Sequence, residues 1–304
     1  MNIGFVGLGA MGAPMAANLL AAGHALKVHD LRQEAGAALV VNGAARASSV
    51  DAAARGAQVV FTCLPGPTEV EAVASGLLEA MAAGSAWFDL STNSPEGVRQ
   101  LGQRFAARGI HLLDAPVSGG PKGARERRLA IWVGGKAEVY EKHHALLLAM
   151  GDAPMYIGSL GAGSVAKLTH NCANFAVQLL LAEVFTLGVK AGVEPLTLFK
   201  ALRQGTAGRK RTFDRLAEQF LPGVYDPPAF ALRLAHKDMK LAMELAHGCG
   251  VPMRMASIAL EEFAEAMQRG WGDRDARISM TLQEERAGVS PRVAIGSLYE
   301  VLKG

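Results

Sequence analysis

The sequence predicts two domains of different classes: a doubly wound, mostly parallel α/β sheet over residues 1–160 and an all-α domain over residues 161–304. Short apolar runs alternate with helix-like segments up to Gly158, and no convincing strand pattern follows that residue. Parallel strands need helical crossovers, so this alternation is typical of a sheet with helices on both faces. A chain of 304 residues is also long enough to bury two cores.

Periodicity locates the individual elements. Seven apolar runs are predicted as strands, at residues 3–6, 25–29, 59–62, 86–90, 110–114, 130–133 and 155–157. Helices are predicted at residues 11–21, 95–107, 137–150, 161–191, 195–203, 233–247, 252–269 and 281–287. Gly192 is placed to end the longest helix, and Pro195 fits the first turn of the next one.

Composition and charge exclude several classes of function. Half of the residues are hydrophobic and 19% are charged, which argues against disorder. The formal net charge of +3 is too small to favour nucleic acid or an anionic membrane surface as a partner. The long apolar stretch at 175–189 contains polar residues and is too short to span a bilayer. We therefore expect neither a nucleic-acid nor a membrane partner.

The three cysteines, Cys63, Cys172 and Cys249, are widely spaced and odd in number. They offer no disulfide framework and no zinc-ligand spacing, so we expect reduced thiols and no metal site. The first residues lack the basic start, unbroken apolar run and small-residue cleavage site of a secretory signal. These features together predict a cytoplasmic protein.

A glycine-rich loop follows the first predicted strand and opens the first helix. Its sequence is Gly7-Leu8-Gly9-Ala10-Met11-Gly12, which is G-x-G-x-x-G. The first glycine permits a tight turn, the second lets a pyrophosphate approach the backbone, and the third lets helix and strand pack closely. Free N–H groups at a helix start bind a diphosphate. The motif in this context predicts a Rossmann-type dinucleotide site; the alternative is a glycine-rich turn without a ligand.

Asp30 stands at the end of the second predicted strand, 18 residues beyond Gly12. A carboxylate there accepts hydrogen bonds from the adenosine ribose and repels a 2′-phosphate, which favours NAD over NADP. Arg32 weakens this inference because a nearby arginine can bind the 2′-phosphate. We predict NAD as the cofactor, with NADP possible.

The long helix that begins near Gly161 carries a polar stripe on a mostly apolar sequence. Its members recur at steps of four, three and four: Lys167, Asn171, Asn174 and Gln178. Desolvation lowers the pKa of a buried lysine toward the working pH, which suits a general acid/base. The alternative is a lysine that extends to solvent along the helix.

A second small-residue motif, Ser118-Gly119-Gly120, follows the fifth main strand. A hydroxyl group and two successive glycines expose consecutive backbone N–H groups, which can form a concave anion site. A small carboxylate would fit there. The alternative is a simple turn.

Six motifs in order make the chain resemble the 3-hydroxyisobutyrate dehydrogenase (β-hydroxyacid dehydrogenase) family over about residues 2–290. They are the segments 7–30, 64–70, 89–95, 114–120, 161–171 and 237–238. The resemblance implies that Leu64, Pro65 and Thr92 contact the cofactor and that Ser118, Gly119 and Gly120 bind the substrate. It also implies that Lys167 and Asn171 are catalytic and that Lys237 reaches the nicotinamide side.

The resemblance implies oxidation of a small, 3-hydroxyisobutyrate-like β-hydroxyacid by NAD, with Lys167 as general acid/base, in a homodimer or homotetramer. Two alternatives are an NAD(P)H-dependent reductase similar to imine reductases and a non-catalytic binding module of the same superfamily. Lys167 argues against both. His170, where the family commonly has asparagine, is interpreted as structural or supporting rather than as a base.

The chain departs from the family's pattern at Arg127 and Arg128, where many relatives have glycine and threonine. Two explanations stand: a solvated surface turn, or an arginine near the pocket mouth that favours an acidic or larger polar substrate through its guanidinium group.

Overall fold

The computed structural model describes residues 1–190, 192–205, 212–248 and 254–302. The chain forms two compact units, Met1–Thr169 and His170–Gly304. The division falls inside one 29-residue helix, Ala162–Lys190, whereas the sequence places the domain boundary just ahead of that helix.

The N-terminal unit is built on a single mixed sheet. Its strands are β1 (Asn2–Val6), β2 (Ala25–His29), β3 (Ala45–Arg46), β4 (Val59–Thr62), β5 (Ala86–Asp89), β6 (His111–Asp114), β7 (Val117–Ser118), β8 (Ala130–Gly134) and β9 (Ala153–Gly158). The order is β3-β2-β1-β4-β5-β6-β8-β7, with β9 also paired to β8. All pairs are parallel except β6–β8 and β7–β8. The predicted doubly wound, mostly parallel sheet is confirmed, and β3 and β7 are additions of two residues each.

Aromatic residues fix the register at the centre of this sheet. Phe5 lies opposite Phe61, and Phe61 lies opposite Phe88, across three parallel strands. Their rings stack at centroid distances of 6.0 and 5.4 Å and are fully buried. A one-residue slip would move every side chain to the other face, so this row selects a single pairing of β1, β4 and β5.

Helices cover the sheet. They are α1 (Gly12–Ala21), α2 (Ala37–Val41), α3 (Val50–Ala54), α4 (Pro67–Ala80), α5 (Pro95–Ala106), α6 (Gly120–Glu126) and α7 (Ala137–Leu148), and α8 is the helix Ala162–Lys190 that begins in this unit. Proline stands in the first turn of α4 and α5, where its missing N–H costs nothing. The Ser94 hydroxyl caps α5 by accepting a hydrogen bond from the Gly97 N–H group. The sequence patterns predict helices between the strands but assign no individual bounds to α2, α3, α4 and α6.

The C-terminal unit is helical over its described residues. It contains the rest of α8, α9 (Pro195–Gln204), α10 (Leu232–Gly248), α11 (Arg254–Gln268), α12 (Thr281–Ala287) and α13 (Ile295–Leu302). The Glu194 carboxylate caps α9 by accepting from the N–H groups of Leu196 and Thr197. Pro252, predicted to open α11, lies outside the described residues. In the part of the chain that is described, no helix meets the length and hydropathy needed to cross a membrane.

Candidate active site

The glycine loop joins β1 to α1 with the geometry that its motif requires. Gly7 has a φ of +92°, and a Cβ there would lie 2.3 Å from the Cys63 carbonyl oxygen. A Cβ on Gly12 would lie 1.9 Å from the Gly7 carbonyl oxygen. Around Gly9, by contrast, the nearest group is an Arg32 nitrogen at 3.9 Å, so the backbone there is open to a ligand. This cradle fits a dinucleotide pyrophosphate.

Asp30 follows β2 and is tied to that loop. Its Oδ2 accepts a hydrogen bond from the Leu8 N–H at 2.7 Å, and its Oδ1 accepts one from the Arg32 N–H at 2.8 Å. The Arg32 Nε lies 3.4 Å from Oδ1. Burial raises the pKa of Asp30, but these N–H groups and the guanidinium charge outweigh it and lower the pKa below its usual value. The carboxylate is therefore ionised and held beside the predicted ribose position.

A buried polar network shapes the loops that contain Leu64, Pro65 and Thr92. Asp89, at the end of β5, accepts from the Thr62 hydroxyl at 2.9 Å and from the Ser91 N–H at 3.1 Å. Ser91 Oγ in turn accepts the Leu64 N–H at 2.9 Å. One carboxylate thus connects the loop after β4 with the loop after β5. Sequence reasoning assigned no role to Asp89.

The predicted substrate motif lies where β7 runs into α6. Ser118 ends β7 and is half-buried, while Gly119 and Gly120 are exposed. The two glycines have φ values of +138° and +64°, which L side chains rarely adopt. A Cβ on Gly120 would meet nothing within 4 Å. Successive glycines of this kind turn backbone N–H groups toward open space, as an anion site needs.

Asp114, at the end of β6, accepts hydrogen bonds from backbone N–H groups at the start of α8. Its Oδ1 accepts the Gly161 N–H at 2.7 Å and its Oδ2 accepts the Ser164 N–H at 2.6 Å. The side chain is 1% exposed, and burial raises its pKa although these hydrogen bonds oppose the rise. Lys167 lies three residues beyond Ser164 on the same helix and is half-buried.

In the C-terminal unit, Asp238 connects two other predicted site residues. Its Oδ2 accepts from the Asn171 Nδ2 at 2.5 Å, and its Oδ1 lies 2.9 Å from the Lys237 Nζ. Asp238 and Asn171 are buried, and Lys237 is partly exposed. Asp238 therefore orients both an amide and an ammonium group. The family resemblance covers Asp238 within the segment 237–238 and assigns a role only to its neighbour Lys237.

The polar stripe of α8 is less uniformly buried than the apolar sequence around it suggests. Asn171 and Gln178 are buried, and Lys167 and Asn174 are half-buried. The face beside this stripe is exposed at four residues that the sequence pattern placed in a buried helix: Thr169, His170, Ala173 and Val177. His170 is thus on the exposed side of α8, which fits the interpretation that it is not the base.

Arg127 and Arg128 end α6 with contacts of their own. Arg127 has a φ of +58° and its Nε donates to Asn18 Oδ1 at 3.3 Å. Asn18 also donates to the Ala124 carbonyl oxygen at 2.7 Å. Arg128 lies 3.9 Å from carboxylate oxygens of both Glu126 and Asp152. These contacts favour the surface-turn explanation over a role at a pocket mouth.

Cys63 and Cys172 are free thiols, and Cys249 lies outside the described residues. Burial, with the nearby Asp89 charge, raises the pKa of Cys63 to about 12. Its thiol therefore stays protonated and unreactive near neutral pH.

Comparison with known proteins decides the family. Residues 2–158 match the model of the NAD binding domain of 6-phosphogluconate dehydrogenase, and residues 161–282 match that for the NAD-binding of NADP-dependent 3-hydroxyisobutyrate dehydrogenase. A 3-hydroxyisobutyrate dehydrogenase of Pseudomonas aeruginosa is 38% identical over 86% of this chain and 91% of its own. The chain belongs to the 3-hydroxyisobutyrate dehydrogenase family.

Two further members of the family extend the match. The 2-(hydroxymethyl)glutarate dehydrogenase of Eubacterium barkeri is 35% identical over 95% of this chain and 97% of its own. The structure of Mycobacterium tuberculosis 3-hydroxyisobutyrate dehydrogenase with L-serine has a TM-score of 0.83 and 30% identity, covering 92% of this chain and 98% of that one. The predicted fold class, the NAD-binding domain and the class of hydroxyacid dehydrogenase are confirmed.

Proposed function

We propose that this family member oxidises a small β-hydroxyacid reversibly with NAD, and that Lys167 is its general acid/base. The observation that carries the proposal is the half-buried Lys167 one helical turn beyond the start of α8, in a chain whose glycine loop and Asp30 fit a dinucleotide. A lysine amine at this position can take up the substrate's hydroxyl proton as a general base and return it as a general acid.

The substrate's hydroxyl proton passes to the neutral amine of Lys167, which becomes an ammonium group. The carbon–hydrogen bond breaks heterolytically as the carbonyl forms, and a bound NAD would supply the acceptor for the hydride. Ser118, Gly119 and Gly120 hold the substrate carboxylate, and Asn171 orients the hydroxyl group. The residues proposed to hold the cofactor are Gly7 to Gly12, Asp30, Leu64, Pro65, Thr92 and Lys237.

The names of two relatives narrow the substrate class. 2-(Hydroxymethyl)glutarate and 3-hydroxyisobutyrate share a primary alcohol on the carbon next to the one that carries the carboxylate. We propose that this chain accepts the same HO–CH₂–CHR–COO⁻ group, with R as the variable part. The predicted cytoplasmic location and the homodimer or homotetramer carried over from the family belong to the same proposal.

A panel of substrates tests the proposal. In assays started with NAD, we expect NADH absorbance to rise with β-hydroxyacids and to rise less, or not at all, with α-hydroxyacids. In assays started with NADH and cyclic imines, we expect no consumption of NADH. Consumption of NADPH with imines and none with hydroxyacids would favour the imine-reductase alternative. Binding of NAD without turnover of any member would favour the non-catalytic module.

A further inference from the structure

Asp114 is a buried charged residue with no part in the proposed reaction. Its side chain is 1% exposed, and removing a carboxylate from water is costly unless hydrogen bonds replace the lost hydration. Both oxygens have such partners in the Gly161 and Ser164 N–H groups, at 2.7 and 2.6 Å. These donors are two of the backbone N–H groups that a helix start leaves without helical partners.

Three glycines let the carboxylate and the helix start approach this closely. A Cβ on Gly134 would lie 2.4 Å from Asp114 Oδ1, and a Cβ on Gly163 would lie 2.3 Å from the Trp132 carbonyl oxygen. Gly161 adopts a φ of +92°, which favours glycine. The start of α8 is therefore packed directly against the backbone of β8 and the end of β6, with no space for adjustment.

The contact between Asp114 and the start of α8 is close in sequence to two residues of the proposed reaction, Lys167 and Ser118. Lys167 is three residues beyond Ser164, and residues at this spacing are neighbours on one helix face. Ser118 is four residues beyond Asp114, across the short turn between β6 and β7. We propose that Asp114 is a positioning residue, which fixes the first turn of α8 and thereby places the Lys167 amine relative to the Ser118–Gly120 segment.

This inference rests on the proposed role of Lys167. A displacement of about 1 Å between reacting groups can cost on the order of 10²-fold in rate. In Asp114→Asn the amide nitrogen faces a backbone N–H group, so one of the two hydrogen bonds is lost and the first turn shifts. We expect the single-turnover rate of NADH formation to fall by about 10- to 100-fold, with the dissociation constant of NAD within twofold of wild type.

The experiment compares four proteins in the same single-turnover assay, with the best β-hydroxyacid of the panel. Leu147→Ala is the matched control because it removes a fully buried side chain on α7, which carries no proposed site residue. It should lower the melting temperature without changing the rate by more than twofold. Lys167→Ala reports on the proposed function itself. A rate for Asp114→Asn within threefold of wild type, or a parallel loss of NAD binding, overturns the inference.

Two outcomes keep the inference separate from the proposed function. If Lys167→Ala is slow and Asp114→Asn has the wild-type rate, only the positioning role of Asp114 is refuted. If Lys167→Ala is as fast as wild type, the proposed role of Lys167 and the positioning role of Asp114 are both refuted. If Asp114→Asn yields no folded protein, Gly163→Ala replaces it. This variant keeps the Asp114 side chain and both N–H donors, but its added Cβ, 2.3 Å from the Trp132 carbonyl oxygen, forces the helix start to shift. Slow hydride transfer with normal NAD binding in that variant supports the inference, and a wild-type rate overturns it.

Discussion

Asp30, Asp89 and Asp114 stand at the ends of three strands of one sheet, and their surroundings give them different tasks. Asp30 keeps contact with solvent and with Arg32, and its pKa is lowered. Asp89 and Asp114 are buried, and burial raises the pKa of each against the hydrogen bonds that they accept. Asp30 is suited to bind a ligand's hydroxyl groups, whereas the two buried carboxylates hold loops and a helix start in place.

Asp30 carries the prediction about cofactor choice. Asp30→Ala should raise the Michaelis constant for NAD and narrow the preference for NAD over NADP, because it removes the ribose acceptor and the charge that repels a 2′-phosphate. Arg32→Ala is the matched variant and should impair NADP more than NAD. Steady-state Michaelis constants for both cofactors decide the matter. A wild-type enzyme that prefers NADP would show that Arg32 dominates.

Helix α6 ends at a position where this chain departs from the family. Arg127 takes the left-handed conformation, with a φ of +58°, which is unfavourable for a residue with a Cβ. The family resemblance implies glycine here, and glycine adopts that conformation without strain. The Arg127–Asn18 hydrogen bond at 3.3 Å is long and recovers little of this cost.

Two substitutions separate the backbone strain from the side-chain contact. Arg127→Gly and Arg127→Ala both lose the hydrogen bond to Asn18, but only glycine relieves the strain. We expect Arg127→Gly to exceed Arg127→Ala in free energy of unfolding by about 1 kcal/mol. Urea denaturation measures the difference, and equal stabilities would contradict it. The ratio of catalytic efficiencies for monocarboxylate and dicarboxylate substrates should stay unchanged in both variants.

The architecture of the N-terminal unit was predictable because buried parallel strands appear as continuous apolar runs and because their carboxyl ends meet at one edge. That rule places Gly7, Asp30, Leu64 and Thr92 together before any coordinates are known. The two-residue strands β3 and β7 are too short to leave a pattern.

The support of the site was not predictable in the same way. Asp114 bonds residues 47 and 50 positions away, and Asp238 bonds one 67 positions away. Both acids lie inside segments that resemble the family, but the resemblance does not indicate which groups they bind. Only the folded backbone shows which N–H groups and amides they receive, because neither periodicity nor spacing records a partner so distant.

Single-turnover NADH formation by wild type and Lys167→Ala shows whether Lys167 is the general acid/base. General acid/base catalysis contributes about 10²- to 10⁴-fold, so the variant should lose a factor of that order. Its dissociation constant for NAD should match wild type, because the glycine loop is untouched. Lys167→Arg is the control for charge and should also be slow, since a guanidinium group stays protonated. A Lys167→Ala variant that keeps more than a third of the wild-type rate would contradict the account.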